Sequence, residues 1–233
     1  HAWPDQLVTP FMLGVPKDAD ASQVMIAAVM SVKSGVMFVD GSTFSFNRKI
    51  DKAIREAHTV YRPIAGRYLS AMPSDAVMGL FVNVDGNKFI ELMRSNRSLQ
   101  AMLAGINAAI DMDNIIKSVD GDMAVITPKY LDDRLSMSMA AELAHAGWLS
   151  DVDYWKQSVP QGGRIIDWKE NAYKYTDGKT TFCFGVSADK QFYSGSSPED
   201  AMALLGQSET PISKALQQKV KGQKMALVIN IGA

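Results

Sequence analysis

Between Arg164 and Ser194 apolar and aromatic residues fall on alternating positions in short runs, carried by Ile166, Trp168, Tyr173, Tyr175, Phe182, Phe184 and Val186, with Asp177-Gly178 between two of the runs. Alternation with a period of two turns one side of an extended chain toward a core, and an Asp-Gly pair supplies the positive φ angles of a tight hairpin turn. The stretch predicts an antiparallel meander. It restricts the chain to folds that contain an antiparallel sheet.

The rest of the sequence alternates between strand and helix signals. Val24 to Val39 is rich in Val, Met and Ile and is broken by Lys33-Ser34-Gly35, which predicts a hairpin. From Asn47 to Tyr61 the positions Ile50, Ala53, Ile54, Ala57 and Val60 recur at helical spacing among Lys, Arg and Glu, and predict an amphipathic helix. A connector runs on to Pro73. Val77 to Val84 predicts a strand, Asp85-Gly86 a turn, and Asn87 the cap of a helix carrying Phe89, Ile90, Leu92 and Met93. Beyond the polar break Ser95 to Ser98, the residues Leu99, Met102, Leu103, Ile106 and Ile110 predict a second helix. A short segment, Asp113 to Val119, ends at Asp120-Gly121.

Met123 to Thr127 predicts a strand, and Leu135 to Ala144 either a strand or a helix. Ser150 to Asp153 opens a helix that Pro160 and Gly162-Gly163 close. Ser197-Pro198 starts a helix to Leu205, Thr210-Pro211 starts another that Gly222 ends, and Ala226 to Ile231 forms a last strand that is expected to continue in a longer natural chain. The strand-turn-helix pattern at Leu80 to Val84 has an echo at Phe192 to Ser197. Together these predict an α+β fold, with helices packed on one face of an antiparallel sheet and repeated strand-turn-helix units. Two segments are expected: 1–70, holding the hairpin and a helix, and 71–233, the α+β domain.

Composition removes several functional classes. In 233 residues, 24 Lys+Arg stand against 25 Asp+Glu and 47% are hydrophobic, so neither disorder nor an electrostatic footprint for nucleic acid is expected. One cysteine excludes a disulfide framework. Apolar runs such as Val24 to Met30 are shorter than the roughly 18–20 residues of a membrane span.

Motifs with chemical meaning resolve into structural ones. The three histidines, His1, His58 and His145, lack the spacing of a metal site, and neither HExxH nor CxxC occurs, so no metal and no cofactor are expected. Cys183 lies in strand alternation with no base beside it. Ser187-Ala188-Asp189-Lys190 has Ser-x-x-Lys spacing but falls between strands, where these residues make a turn. Asp111-Met112-Asp113-Asn114 lacks the glycine and distal glutamate of a calcium loop and predicts a helix junction. The methionines are scattered, as core fillers are. No catalytic residues are assigned.

Aromatic residues crowd one segment: Trp148, Tyr154, Trp155, Trp168, Tyr173 and Tyr175, in a chain that is 9% aromatic overall. Such rings serve either a core or a ligand-binding face for glycans or peptides, and both readings stand at this point.

The segment Tyr68 to Val77 (YLSAMPSDAV), followed by Val82 to Met93 (VNVDGNKFIELM), Ile116 to Val125 (IKSVDGDMAV) and Phe192-Tyr193 before a helix, resembles uncharacterised cell-envelope lipoproteins of the Bacteroidetes, a family of unknown function. That resemblance implies export to the periplasm or outer membrane, an N-terminal lipid anchor and a longer natural chain; it carries over no functional residue. The leading expectation is a non-catalytic envelope protein that binds a glycan, a peptide or another envelope protein through the aromatic segment. The alternatives are a hydrolase of envelope or dietary glycans using Asp151, Asp153 or Asp167 as acid and base, and a structural module that self-associates through an exposed strand.

Overall fold

A computed structural model describes residues 21–33, 36–94, 110–128 and 136–230. Two sheets are present, both antiparallel throughout. The first is the expected hairpin, β1 (Val24–Lys33) against β2 (Val36–Ser45), in register from Val24↔Ser45 to Lys33↔Val36. Its turn residues Ser34-Gly35 lie outside the described residues, as does most of the helix expected over Leu99 to Ile110.

Helix α1 (Arg48–His58) follows directly. Asn47 caps it by accepting the Lys49 amide, and Ile50, Ile54 and Ala57 bury the one face that their three- and four-residue spacing creates.

The second sheet has nine strands: β3 (Tyr61–Arg62), β4 (Met78–Asp85), β5 (Val119–Thr127), β6 (Ser138–Leu143), β7 (Arg164–Lys169), β8 (Ala172–Thr176), β9 (Thr181–Val186), β10 (Gln191–Gly195) and β11 (Met225–Ile229). The spatial order is β11-β4-β5-β6-β10-β9-β8-β7. β5 runs along all of β4 on one side, and β11 and β3 share the other, against residues 78–82 and 83–84. The meander β7 to β10 forms where the alternation predicted it, with Gly178 at φ 84° in the Asp177-Gly178 turn, but on β7 it is Ile165 that is buried and Ile166 that is exposed.

Strict alternation sorts the side chains between two cores. One face carries Val82, Val84, Met123, Ala141, Leu143, Phe192, Phe184 and Tyr175 under α2 (Gly86–Arg94), α3 (Met112–Lys117) and α4 (Val152–Ser158). The opposite face carries Phe81, Ala124, Ile126, Ala140 and Val228, packed with Ile64, Tyr68, Leu69, Met72, Leu204, Ile212 and Val220, and beside them Tyr193, Cys183 and Ala172 packed with Ala201. The α+β class holds. The expected layer of helices on one face describes α2 to α4, and the second face is covered as well, by the chain from 64 to 76, by α5 (Pro198–Met202) and by α6 (Lys214–Val220). That second layer places residues 61–70, ahead of the expected boundary at 70, in the same core as the sheet.

Several local expectations change for physical reasons. Asp85-Gly86 is no turn: α2 begins at Gly86, and Asp85, not Asn87, is the capping acceptor, taking the Asn87 and Lys88 amides at 3.1 and 3.3 Å. Gly86 is required because a Cβ there would overlap the Ile116 carbonyl oxygen. Asp120-Gly121 lies inside β5 at a register shift against β6, where Gly121 takes φ 145°. Of the segment expected over Leu135 to Ala144, Leu135 lies outside the described residues and Ser138–Leu143 is strand β6, because both its faces meet core. Ser150 to Asp153 falls across a 3-10 turn (Gly147–Asp151) and the first turn of α4, with no side-chain cap on Asp151. α6 starts at Ser213, whose hydroxyl takes the Leu216 amide, and Pro211 instead bridges to Pro73.

Candidate functional site

The aromatic segment does not converge on one surface. Trp148 is 1% exposed, stacked on Trp155 at 5.9 Å and edge-on to Phe192 at 6.1 Å. Tyr175 is buried against Phe182 at 4.9 Å. These three of the six rings offer no face to a ligand, because Trp148 on the 3-10 turn and Trp155 on α4 pack into the same core that buries Tyr175. Trp168 is half-buried on the opposite face beside Ala172 and Cys183, with the Lys169 ammonium 5.1 Å from its centroid. Tyr173 is half-buried, and Tyr154 on α4 is 69% exposed.

Around Tyr173 stands a cluster of charged side chains. The Lys156 ammonium lies 5.3 Å from the Tyr173 centroid, 2.8 Å from Asp167 and 3.2 Å from Asp153. Asp167 foremost, with Asp153, pushes the lysine above its ordinary range, while burial pushes the Tyr173 hydroxyl up. Glycoside hydrolysis needs one protonated acid and one free carboxylate flanking a bond. Here a shared ammonium stands between two exposed carboxylates, and the third expected acid, Asp151, meets Asn114 at 3.5 Å. The arrangement is an ion-pair triad on a surface, with the ammonium held between the two carboxylates.

A second constellation was not foreseen. On the face that carries Phe81, Ala124 and Tyr193, the next row is polar on the five neighbouring strands β3, β4, β5, β6 and β10: Arg62, Asn83, Asp122, Glu142 and Gln191. Asp122 is its centre. It is 2% exposed, and its carboxylate accepts the amides of Ala65, Gly66 and Arg67 at 2.9, 2.6 and 2.8 Å and the Asn83 Nδ2 at 2.8 Å. The Asp122 amide in turn donates to Glu142 Oε2 at 2.8 Å, an approach that Gly121 permits because any Cβ there would strike Glu142.

The turn so anchored lays Arg67 over the end of the row. Its guanidinium donates to Gln191 Oε1 at 3.1 Å and to Asp189, and lies 3.7 Å from Glu142. Asp189 belongs to the Ser187 to Lys190 turn and accepts from Ser187 Oγ at 2.6 Å and Gln191 Nε2 at 2.7 Å, bonds that hold its carboxyl below the usual range. Arg62 closes the far end on Asn83 and Asp120 at 2.9 and 2.7 Å. Tyr68 sits beneath, its hydroxyl buried without a hydrogen-bond partner among the described residues and pushed up by burial. The row ties strands and two turns into one unit. Its sequence signal is a polar residue at the inward parity of each strand, as in Phe81-x-Asn83, Asp122-x-Ala124, Ala140-x-Glu142 and Gln191-x-Tyr193.

Apolar side chains, by contrast, stay open in two places. On the hairpin Val29 is 71% and Val32 66% exposed, with Met25 and Ile26 also exposed. On β11 Leu227 and Ile229 are exposed. Among the described residues no His, Cys, Asp or Glu groups gather as metal ligands, and no helix is long and apolar enough to cross a membrane.

No protein-family model matches the chain, and no curated protein matches it. Among solved structures the chain is similar to crystal forms of TP0453, a Treponema protein. Form III aligns with TM-score 0.44 and 12% identity over 70% of this chain and 63% of that one. Form IV aligns with TM-score 0.43 and 10% identity over 75% and 66%. The chain thus spans less than two thirds of the length of the solved chains, and a likeness at this level assigns no property of TP0453 to it.

Proposed function

We propose that the chain is a non-catalytic partner-binding module of a bacterial cell envelope, exported and lipid-anchored as its resemblance to the Bacteroidetes lipoproteins implies, and that its partner is another envelope protein. The observation that carries this reading is the hairpin. Its strands are ten residues each, pair only with one another among the described residues, and expose Met25, Ile26, Val29 and Val32. A two-stranded ribbon is at best marginal in water and gains stability when a third strand or an apolar face covers it. Exposed apolar area of this kind marks a contact surface. The charged groups support the same reading from the other side, since Asp122 is taken up by backbone amides and Asn83, Arg62 by Asp120 and Asn83, and Arg67 by Asp189 and Gln191.

The test is a photo-crosslinking residue at position 29 or 32 of the anchored protein in intact cells, with position 179 in the exposed β8-β9 turn as control. A discrete protein adduct from 29 and 32 and none from 179 supports the reading; no adduct from either hairpin position contradicts it. A second reading, recognition of a glycan or peptide, rests on the exposed Tyr154 ring of α4, the helix that also carries Lys156 over the Tyr173 ring. Under it Tyr154→Ala abolishes retention on a glycan or peptide array, and the hairpin positions are silent.

A further inference from the structure

The corner where β2 passes into α1 breaks two local rules at once. Phe46 is 82% exposed, although an aromatic ring gains by burial. The first two helical positions are Arg48 and Lys49, both exposed, at the helix end whose dipole favours acids. Local choices that disagree with the fold mark positions held for function. The corner itself is firmly built: Ser45 Oγ donates to the Gln23 carbonyl at 2.6 Å, Asn47 Nδ2 to Gln23 Oε1 at 2.8 Å, and the Ser45 amide to Asp51 Oδ1 at 3.1 Å.

Ring and cations form one patch. Phe46 stands edge-on to Phe44 at 5.6 Å, and Met25, directly opposite Phe44 in the register, is exposed as well. The two acids of the helix do not neutralise its first-turn cations, because Asp51 is held by Arg55 at 2.7 Å and Glu56 by Lys52 at 3.7 Å. A small ligand needs a concave site, and a ring this exposed stands on a convex one. An acidic protein surface would answer the cations alone. An anionic bilayer answers both halves of the patch, with acyl chains for the ring at the headgroup depth where aromatics gather and phosphates for the cations.

We propose that this corner seats the molecule on an anionic lipid bilayer, with Phe46 entering the headgroup layer and Arg48 and Lys49 against lipid phosphates. The contact is made by side chains, since Asn47 already takes up the Lys49 amide at the helix end. The site is separate from the outer residues of the hairpin and does not rest on the partner-binding reading above.

Co-sedimentation of the 233-residue protein with vesicles of equal parts phosphatidylglycerol and phosphatidylcholine tests it. Binding is expected at low salt, and is expected to be lost on phosphatidylcholine alone or at high salt. Each basic residue near an anionic surface contributes about fivefold in partitioning, so Arg48→Gln with Lys49→Gln is expected to weaken binding about thirtyfold. Phe46→Ser is expected to weaken it about fivefold or more, while Arg48→Lys with Lys49→Arg and Val29→Ser with Val32→Ser leave it unchanged. All these positions are exposed, and thermal melts that match wild type show that each variant folds. Absence of wild-type binding to the mixed vesicles overturns the proposal, as does equal binding to phosphatidylcholine alone. So does retention on polyglutamate, undiminished in Phe46→Ser, without vesicle binding, which would assign the cations to an acidic protein. Vesicle binding that the hairpin serines abolish and the glutamines spare overturns it too, by assigning the bilayer to the hairpin. The vesicles carry no protein, so a negative result here leaves the crosslinks expected from positions 29 and 32 untouched.

Discussion

Replacing Asp122 by alanine removes the acceptor on which the turn over residues 65–67 is hung. The carboxylate holds four donors: the amides of Ala65, Gly66 and Arg67 and the Asn83 side chain. A hydrogen bond to a charged group contributes about 1.5–3 kcal/mol, and a buried donor left without a partner costs a similar amount. Ala65 and Arg67 are exposed, so their amides return to water; Asn83 is buried and Gly66 half-buried, so theirs do not. Two donors at that cost give about 3–6 kcal/mol of destabilisation for Asp122→Ala. In a chain of this size each kcal/mol lowers Tm by about 2–4 °C, so a drop of roughly 6–24 °C is expected. Asp122→Asn keeps an acceptor for one pair of donors and turns an NH₂ against the other, and is expected to fall between wild type and alanine. Urea unfolding followed by tryptophan fluorescence measures both, with Trp148 and Trp155 in the core as reporters. A loss below about 1 kcal/mol for Asp122→Ala would refute the reasoning, because the buried donors would then have found other partners.

The aromatic segment is tested by a pair of variants: Trp148→Ala is expected to cost about 3–5 kcal/mol in the same assay, while Tyr154→Ala stays within about 0.5 kcal/mol of wild type. Stability is expected to fall in two steps on acidification. Burial first and Lys224 second lower His58 from 6.5, so the unfolded chain takes up that proton first and stability declines as the pH drops below 6.5. Asp51, Asp177 and Asp189 are held below 3.8 by hydrogen bonds from Arg55, the Thr180 amide and Ser187 respectively, so their contribution is present above 3.8 and lost as the pH falls through their folded values. Thermal melts across the pH range read both steps, and His58→Gln is expected to erase only the first. Burial keeps the Cys183 thiol protonated and enclosed, so it is expected to react with a chromogenic disulfide only after denaturant is added; rapid native labelling would displace it from the core.

The elements legible in the sequence were those written in local pattern. The hairpin, α1, the β7 to β10 meander and the start of α5 at Ser197-Pro198 each carry their periodicity and their turn or cap within about a dozen residues. The turn at Ser187 to Lys190 was legible for the same reason, its Ser and Asp bonding one another across two positions. Asp120-Gly121 was not, because the same dipeptide that makes a hairpin at 177–178 becomes a bulge when a long partner strand holds it on each side. The polar row was invisible for a stronger reason. Asp122 meets Asn83 across 39 residues and Glu142 across 20, and only strand register brings them into line. For the aromatic segment, period-two alternation allowed a core and a surface equally. The choice was made by the placement of α4 above the sheet, which buries Trp155 and leaves Tyr154 outside on the same helix.

The hairpin is proposed as an interaction surface that the other described residues leave open, and backbone hydrogen exchange measures this directly. In the purified protein the amides of β1 and β2 are expected to exchange at close to free-peptide rates, while those of β5 and β6, with a paired strand on each side and a core on each face, exchange only on global unfolding. On adding detergent-solubilised envelope the hairpin amides alone are expected to slow. Hairpin amides as protected in the purified protein as those of β5 and β6 would contradict the account, because the surface would already be covered by the chain that carries it.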